Sequence, residues 1–193
     1  QELIRFPTVK TEDKGIMNFL SKKLSSIGFK CKIVKSKGTG PKPALNLYAK
    51  FGNSKPHINF LGHTDVVANL NNWKVPPFKA IAKKGYLNGR GSQDMKGGIA
   101  CWISAVSNFI KKKKFKGSIS IIISADEETT GLGTPAVMKY LRRKGEKIDF
   151  SVVGEPSSNR LVGDEIRIGR RGSMNGKITL YGKRTARYRS IPV

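Results

Sequence analysis

Ser118-Ile119-Ser120-Ile121-Ile122-Ile123-Ser124 runs directly into Ala125-Asp126-Glu127-Glu128. A short apolar run rich in isoleucine reads as a central strand covered on both faces, and the acids that follow stand at its carboxyl end. His57 to Leu61 has the same dense apolar character and leads to His63 and Asp65, while Phe150 to Val153 reads as a short buried strand leading to Glu155. Outward from these strands, Thr11 to Ile27 carries Ile16, Phe19, Leu20, Leu24 and Ile27 at amphipathic-helix spacing, with Gly28 as terminator. Phe29, Cys31 and Ile33 alternate with lysines, and Leu45, Leu47, Ala49 and Phe51 alternate with more polar residues. Two half-buried strands are therefore expected around a Gly/Pro loop from Gly38 to Pro43. Ile99 to Ile110 reads as a buried helix, and Thr134 with Pro135 as the N-cap and first residue of another, running to Arg143. Strands alternating with helices define an α/β layered domain. After Asp164 the pattern changes to a hairpin of amphipathic strands, with Ile166 and Ile168 before a turn at Gly172 and Lys177 to Tyr181 after it. The stretch from Asp65 to Gly98 is too long to be an idle connection.

The 193 residues, 38% apolar, exclude a disordered or collagen-like chain and are enough for one core without disulfides. Lys and Arg number 37 against 13 Asp and Glu, a formal charge of +24. The lysines are nevertheless scattered. The dense run Lys111 to Lys114 with Lys116 is interleaved only by Phe115, and it follows a helix whose negative end it caps. No specific nucleic-acid partner is expected; a lysine-rich surface draws acidic small molecules. Cys31 and Cys101 are far apart and form no C-x-x-C, so reduced, mostly buried thiols are expected. No apolar run approaches the ~18 residues of a membrane span, and the first residues show no signal pattern, so the expectation is a cytoplasmic protein without a membrane partner.

Five of the 13 acids, Asp65, Asp94, Glu127, Glu128 and Glu155, follow apolar strands or sit in the Gly-rich loop. Open α/β sheets bind ligands in the crevice beyond the carboxyl ends of their strands, so one crevice can collect all five. Imidazole with carboxylates suits zinc or manganese, and crowded like charges call for a cation. A lone histidine is otherwise a satisfied loop residue, and a Glu-Glu pair a solvated turn. For His63 the balance shifts because Asp65, two residues on, is placed to accept the second imidazole N–H. His57 has no such neighbour and reads as structural. Of two adjacent glutamates following a buried strand, one can hold a metal while the other serves as a base.

The segments L-G-H-T-D-V-V (Leu61 to Val67), G-R-G-S-Q-D-M-K-G-G (Gly89 to Gly98), S-A-D-E-E (Ser124 to Glu128) and V-G-E-P (Val153 to Pro156) occur in this order. Together they resemble the co-catalytic zinc amidohydrolases. The resemblance implies a zinc-aminopeptidase-like mixed sheet flanked by helices over residues 1–163. The truncated start of an α+β lid and dimerisation domain would follow over 164–193. It implies that His63 and Glu155 bind one zinc, Glu128 the other, and Asp94 bridges both. Asp65 would orient His63, Glu127 would be the general base, and the peptide after Asp94 would be cis. Zinc is the implied cofactor, two ions per complete site, with cobalt or manganese able to substitute. Arg170 and Arg171 match the substrate-facing stretch, where a guanidinium fork suits a carboxylate; from chemistry alone a basic turn is an equal reading.

Gly163 to Ser173 and Trp73 to Phe78 are most similar to members that remove succinate from N-succinyl-LL-2,6-diaminopimelate in lysine and diaminopimelate biosynthesis. The implied substrate is a small anionic N-acyl amino acid, and the implied full-length form a homodimer. Deacetylation of acetylornithine or hydrolysis of another N-acyl amino acid is the near alternative. A non-catalytic basic binding fragment is the alternative from another class, distinguished by needing no zinc. Two departures bear on activity. The family's second zinc histidine has no counterpart here, and Arg184 to Val193 reads R-T-A-R-Y-R-S-I-P-V where the family has a Gly-His segment. Both imply a truncated form with little activity.

Overall fold

The computed structural model describes residues 1–182 except 69, 70, 72, 113, 170, 171, 173, 175 and 180. A 3₁₀ turn at Glu2–Arg5 precedes helix α1 (Ile16–Ser25) and strands β1 (Lys30–Ser36), β2 (Ala44–Gly52) and β3 (His57–His63). A small hairpin, β4 (Ile81–Lys83) and β5 (Tyr86–Asn88), then leads to α2 (Lys96–Lys112), β6 (Ser118–Ser124), α3 (Gly133–Arg143) and β7 (Phe150–Val153). The main sheet has the order β1-β2-β6-β3-β7; β2 is antiparallel to both β1 and β6, whereas β3 is parallel to both β6 and β7.

The strand that decides the fold lies at its centre, with every residue buried. Its period of two divides the two layers. Ile119, Ile121 and Ile123 enter the larger core with α1 and α2, whereas Ile122 packs with Tyr48 against Val137 and Leu141 of α3. The serines share the α3 face with Ile122, and Ser120 donates to Asn59 Oδ1 at 2.9 Å while meeting His57 Nε2 at 2.7 Å. His57 also places Nδ1 2.8 Å from the Lys147 carbonyl, which makes it a structural residue.

Several boundaries move for physical reasons. Helix α1 starts at Ile16 rather than Thr11, because the Asp13 carboxylate accepts the N–H groups of Gly15 and Met17 at 2.8 and 3.0 Å. Helix α3 starts at Gly133, so Thr134 is not its cap. The first donors, the Leu132 and Gly133 N–H groups, go to the Asp126 carboxylate at 3.1 and 2.8 Å. The expected loop between Asp65 and Gly98 contains a hairpin whose two-residue turn, Lys84-Gly85, has both φ angles positive (51° and 77°). That twist matches the flanking strands. Cys31 is half-buried and Cys101 exposed, both free, so the expectation of mostly buried thiols fails for Cys101, which lies outside the apolar face of α2.

Strand β7 is also exposed rather than buried. Phe150, Val152 and Val153 are 65%, 54% and 53% exposed, because β7 pairs only with β3 and no described element covers it. The chain divides into two units, Gln1–Pro156 and Ser157–Val193. In the second, the Asp164 carboxylate gathers the N–H groups of Asn159, Arg160 and Leu161 at 2.8–3.0 Å into a turn. The expected hairpin is absent among the described residues after it: Ile166, Ile168, Ile178 and Tyr181 are 84–103% exposed and have no ladder partner. No described helix is long and apolar enough to cross a membrane.

Candidate metal centre

Strands β3, β6 and β7 all point the same way, and their carboxyl ends deliver His63, the 126–128 turn and Glu155 to one crevice. Gly154 lets the chain reach it. A Cβ there would lie 2.2 Å from the Phe60 ring, so any side chain would displace the strand end that carries Glu155. Asp94 enters from the loop before α2, and the Asp94–Met95 peptide is cis, as the resemblance implies.

His63 is 1% exposed. Its Nδ1–H donates to the Asp65 carbonyl oxygen at 3.0 Å, which leaves Nε2 facing Asp94 Oδ1 at 3.0 Å and Glu155 Oε1 at 3.5 Å. Ligand atoms of His63, Asp94 and Glu128 lie within 4.8 Å of one another, as do those of His63, Glu127 and Glu155. One imidazole nitrogen ringed by carboxylate oxygens is a donor set that zinc and manganese accept. Burial opposes a charge on His63, but the Asp65 carboxylate, then Glu155 and Asp94, outweigh it and hold the imidazole at about 9. Burial, and then repulsion from Asp94, push the carboxyls of Glu128 and Glu155 upward. A divalent cation would relieve that repulsion, so the residues present fit one.

Asp65 works differently from the sequence expectation. Its carboxylate stands 3.5 Å from Nδ1 and acts on the ring through charge, while its main-chain carbonyl makes the orienting hydrogen bond. The carboxylate oxygens instead accept the N–H groups of Glu127 and Glu128 at 3.1 and 2.9 Å. Asp65 thus grips the turn that carries both glutamates.

The sequence reading overlooked Lys96. Only 1% exposed, it donates from Nζ to the Phe6 carbonyl at 2.8 Å and lies 5.9 Å from the centre of the Phe78 ring. Burial lowers its ammonium to about 8 despite the opposing pull of Asp65. Nothing adjacent in sequence marks a lysine at a helix start as buried. Arg170, Arg171 and the tail from Arg184 lie outside the described residues.

Residues 60–189 match the model of peptidase family M20/M25/M40. The chain belongs to that family. A succinyl-diaminopimelate desuccinylase of Pelagibacter ubique is 50% identical over 94% of this chain, and the chain spans 48% of that relative's length. Human carnosine dipeptidase 1 shares the fold, with a TM-score of 0.69 at 22% identity over 79% of this chain and 36% of that one. So does an M20 family metallo-carboxypeptidase of Sulfolobus solfataricus, with a TM-score of 0.65 at 22% identity over 79% of this chain and 35% of that one. That Sulfolobus protein is a metallo-carboxypeptidase by name, and the donor set around His63 fits a divalent ion.

Proposed function

We propose that this chain is the metal-binding half of an amide hydrolase that removes succinate from N-succinyl-LL-2,6-diaminopimelate. The observation that carries the hydrolase reading is His63 Nε2, freed by the Asp65 carbonyl and facing Asp94 and Glu155 with both glutamates of the 126–128 turn close by. The 50% identity to a desuccinylase supports the substrate; acetylornithine or another N-acyl amino acid is the alternative.

In this reading His63, Glu155 and Asp94 would hold one zinc ion and Glu128 with Asp94 a second, with cobalt or manganese as substitutes. The bound cation would supply positive charge that polarises an amide carbonyl and acidifies water. Glu127 takes a proton from the attacking water on its carboxylate and returns it to the leaving amine. Glu127 is exposed, and its backbone is fixed by Asp65, which suits a base that must meet solvent and substrate. Arg170 and Arg171 bind a substrate carboxylate, and residues from 164 onward begin a lid and dimerisation domain of a cytoplasmic homodimer. His57 is committed elsewhere, so this chain brings a single histidine to the centre. A complete second ion site needs a ligand from outside this chain, and the chain alone turns over little substrate.

The test is hydrolysis of N-succinyl-diaminopimelate beside N-acetylornithine with zinc supplied, by this chain and by a chimera carrying the second half of the Pelagibacter relative. The proposal expects the chimera to be faster by orders of magnitude and to prefer the succinyl substrate. Preference for N-acetylornithine would replace the substrate assignment, and equal turnover by the bare chain would overturn the incomplete second site.

A further inference from the structure

The turn from Ala125 to Leu132 carries both glutamates of the candidate centre, yet it is neither helix nor strand, so side chains must satisfy its backbone. Asp65 takes the N–H groups of Glu127 and Glu128 from one side. On the other side lies Asp126, 0% exposed. Its Oδ1 accepts from the Gly133 N–H at 2.8 Å and the Ser124 hydroxyl at 3.1 Å. Its Oδ2 accepts from the Leu132 N–H at 3.1 Å and the Thr130 hydroxyl in a short hydrogen bond. Its carbonyl takes the Gly131 N–H at 2.8 Å. Four donors fill the lone-pair capacity of a carboxylate, so Asp126 has none left for a cation. Asn46 completes the knot by accepting the Ala125 N–H at 3.1 Å and donating to the Val34 carbonyl at 3.1 Å, which ties the turn to β1.

We propose that Asp126 is a positioning residue: it closes the 126–133 turn on itself and so sets where Glu127 and Glu128 stand, without ligating metal. The metal half of this statement rests on the proposed centre; the backbone half does not. Asp126→Asn keeps the shape but aims an amide donor at hydrogen-bond donors. Thr130→Val removes a single donor from an exposed residue and leaves the fold intact should Asp126→Asn unfold. Asp149→Asn is the control, because Asp149 accepts the His57 N–H at 2.8 Å at the opposite end of β3.

Two readouts are taken on the full chain: amide hydrogen exchange without metal, and Co²⁺ binding followed by its visible spectrum. In Asp126→Asn, exchange of the 127–133 amides should quicken on the order of tenfold while those of β6 stay protected. Co²⁺ affinity should fall about 10–100-fold with an altered spectrum, the scale for groups that orient ligands. Thr130→Val should shift both in the same direction by less, and Asp149→Asn should shift neither. Turn exchange unchanged in both turn variants overturns the proposal whatever the metal does. Wild-type protein that binds no Co²⁺ refutes the metal centre, and the exchange comparison still decides the positioning claim.

Discussion

Replacing Asp65 with asparagine removes one acceptor from a pair of hydrogen bonds while leaving the side chain's size unchanged. The carboxylate is 1% exposed and accepts the N–H groups of Glu127 and Glu128 at 3.1 and 2.9 Å. Asparagine can satisfy one and must aim its amide at the other. A hydrogen bond to a charged group contributes about 1.5–3 kcal/mol, and a buried donor left unpaired costs about 1–3 kcal/mol. Removing the charge eases its repulsion of Glu128 but gives up its attraction for His63 and Lys96, so the two electrostatic changes oppose each other. The net cost should be about 2 kcal/mol, which for a domain of this size lowers Tm by about 4–8 °C. Scanning calorimetry of metal-free protein measures it, and a zinc titration of the same sample should show weaker binding. A Tm within about 1 °C of wild type, with zinc affinity unchanged, would refute the claim that Asp65 holds the glutamate turn.

Glu127→Gln should leave zinc binding intact in calorimetry and abolish turnover of the chimera; loss of zinc instead would exchange the roles of Glu127 and Glu128. The metal-free chain should lose stability as pH rises from 6.5 to 8. Folded His63 stays protonated up to about 9 while the unfolded residue titrates near 6.5, so the stabilisation is full below 6.5 and has fallen by about 2 kcal/mol at pH 8. Urea unfolding at the two pH values checks this, and a flat profile counts against the Asp65–His63 coupling; above pH 8 the lowered Lys96 acts in the opposite sense. The open edge and apolar side chains of β7 should make the chain self-associate. Val152→Lys should reduce this in sedimentation velocity, whereas an effect confined to substitutions at Ile178 or Tyr181 would place the association outside β7.

The features legible in the sequence were those written as local pattern. Ile119, Ile121 and Ile123 announce a buried strand because burial on both faces demands apolar residues, and strand direction then sends His63, Glu127, Glu128 and Glu155 to one end. The part that was not legible depends on contacts distant in sequence. The Asp65 carboxylate binds residues 62 and 63 positions away, and Asp126 looks like one more acid in a polar turn until its donors fold back on it. Lys96 reads as a surface lysine because the Phe6 carbonyl that receives it lies 90 residues away. Phe150, Val152 and Val153 spell a buried strand, yet they are exposed because burial depends on covering elements that the apolar run itself cannot supply.

The central claim is that His63 Nε2, at the end of β3, holds a divalent cation together with Glu155 at the end of β7 and Asp94 from the loop before α2. Anomalous diffraction at the zinc edge from crystals grown with zinc tests it most directly. The account predicts a peak about 2.0–2.1 Å from His63 Nε2, with Asp94 and Glu155 oxygens about 2.0–2.2 Å from it. A peak at His57 or on surface acids, with the His63 crevice empty, would contradict it.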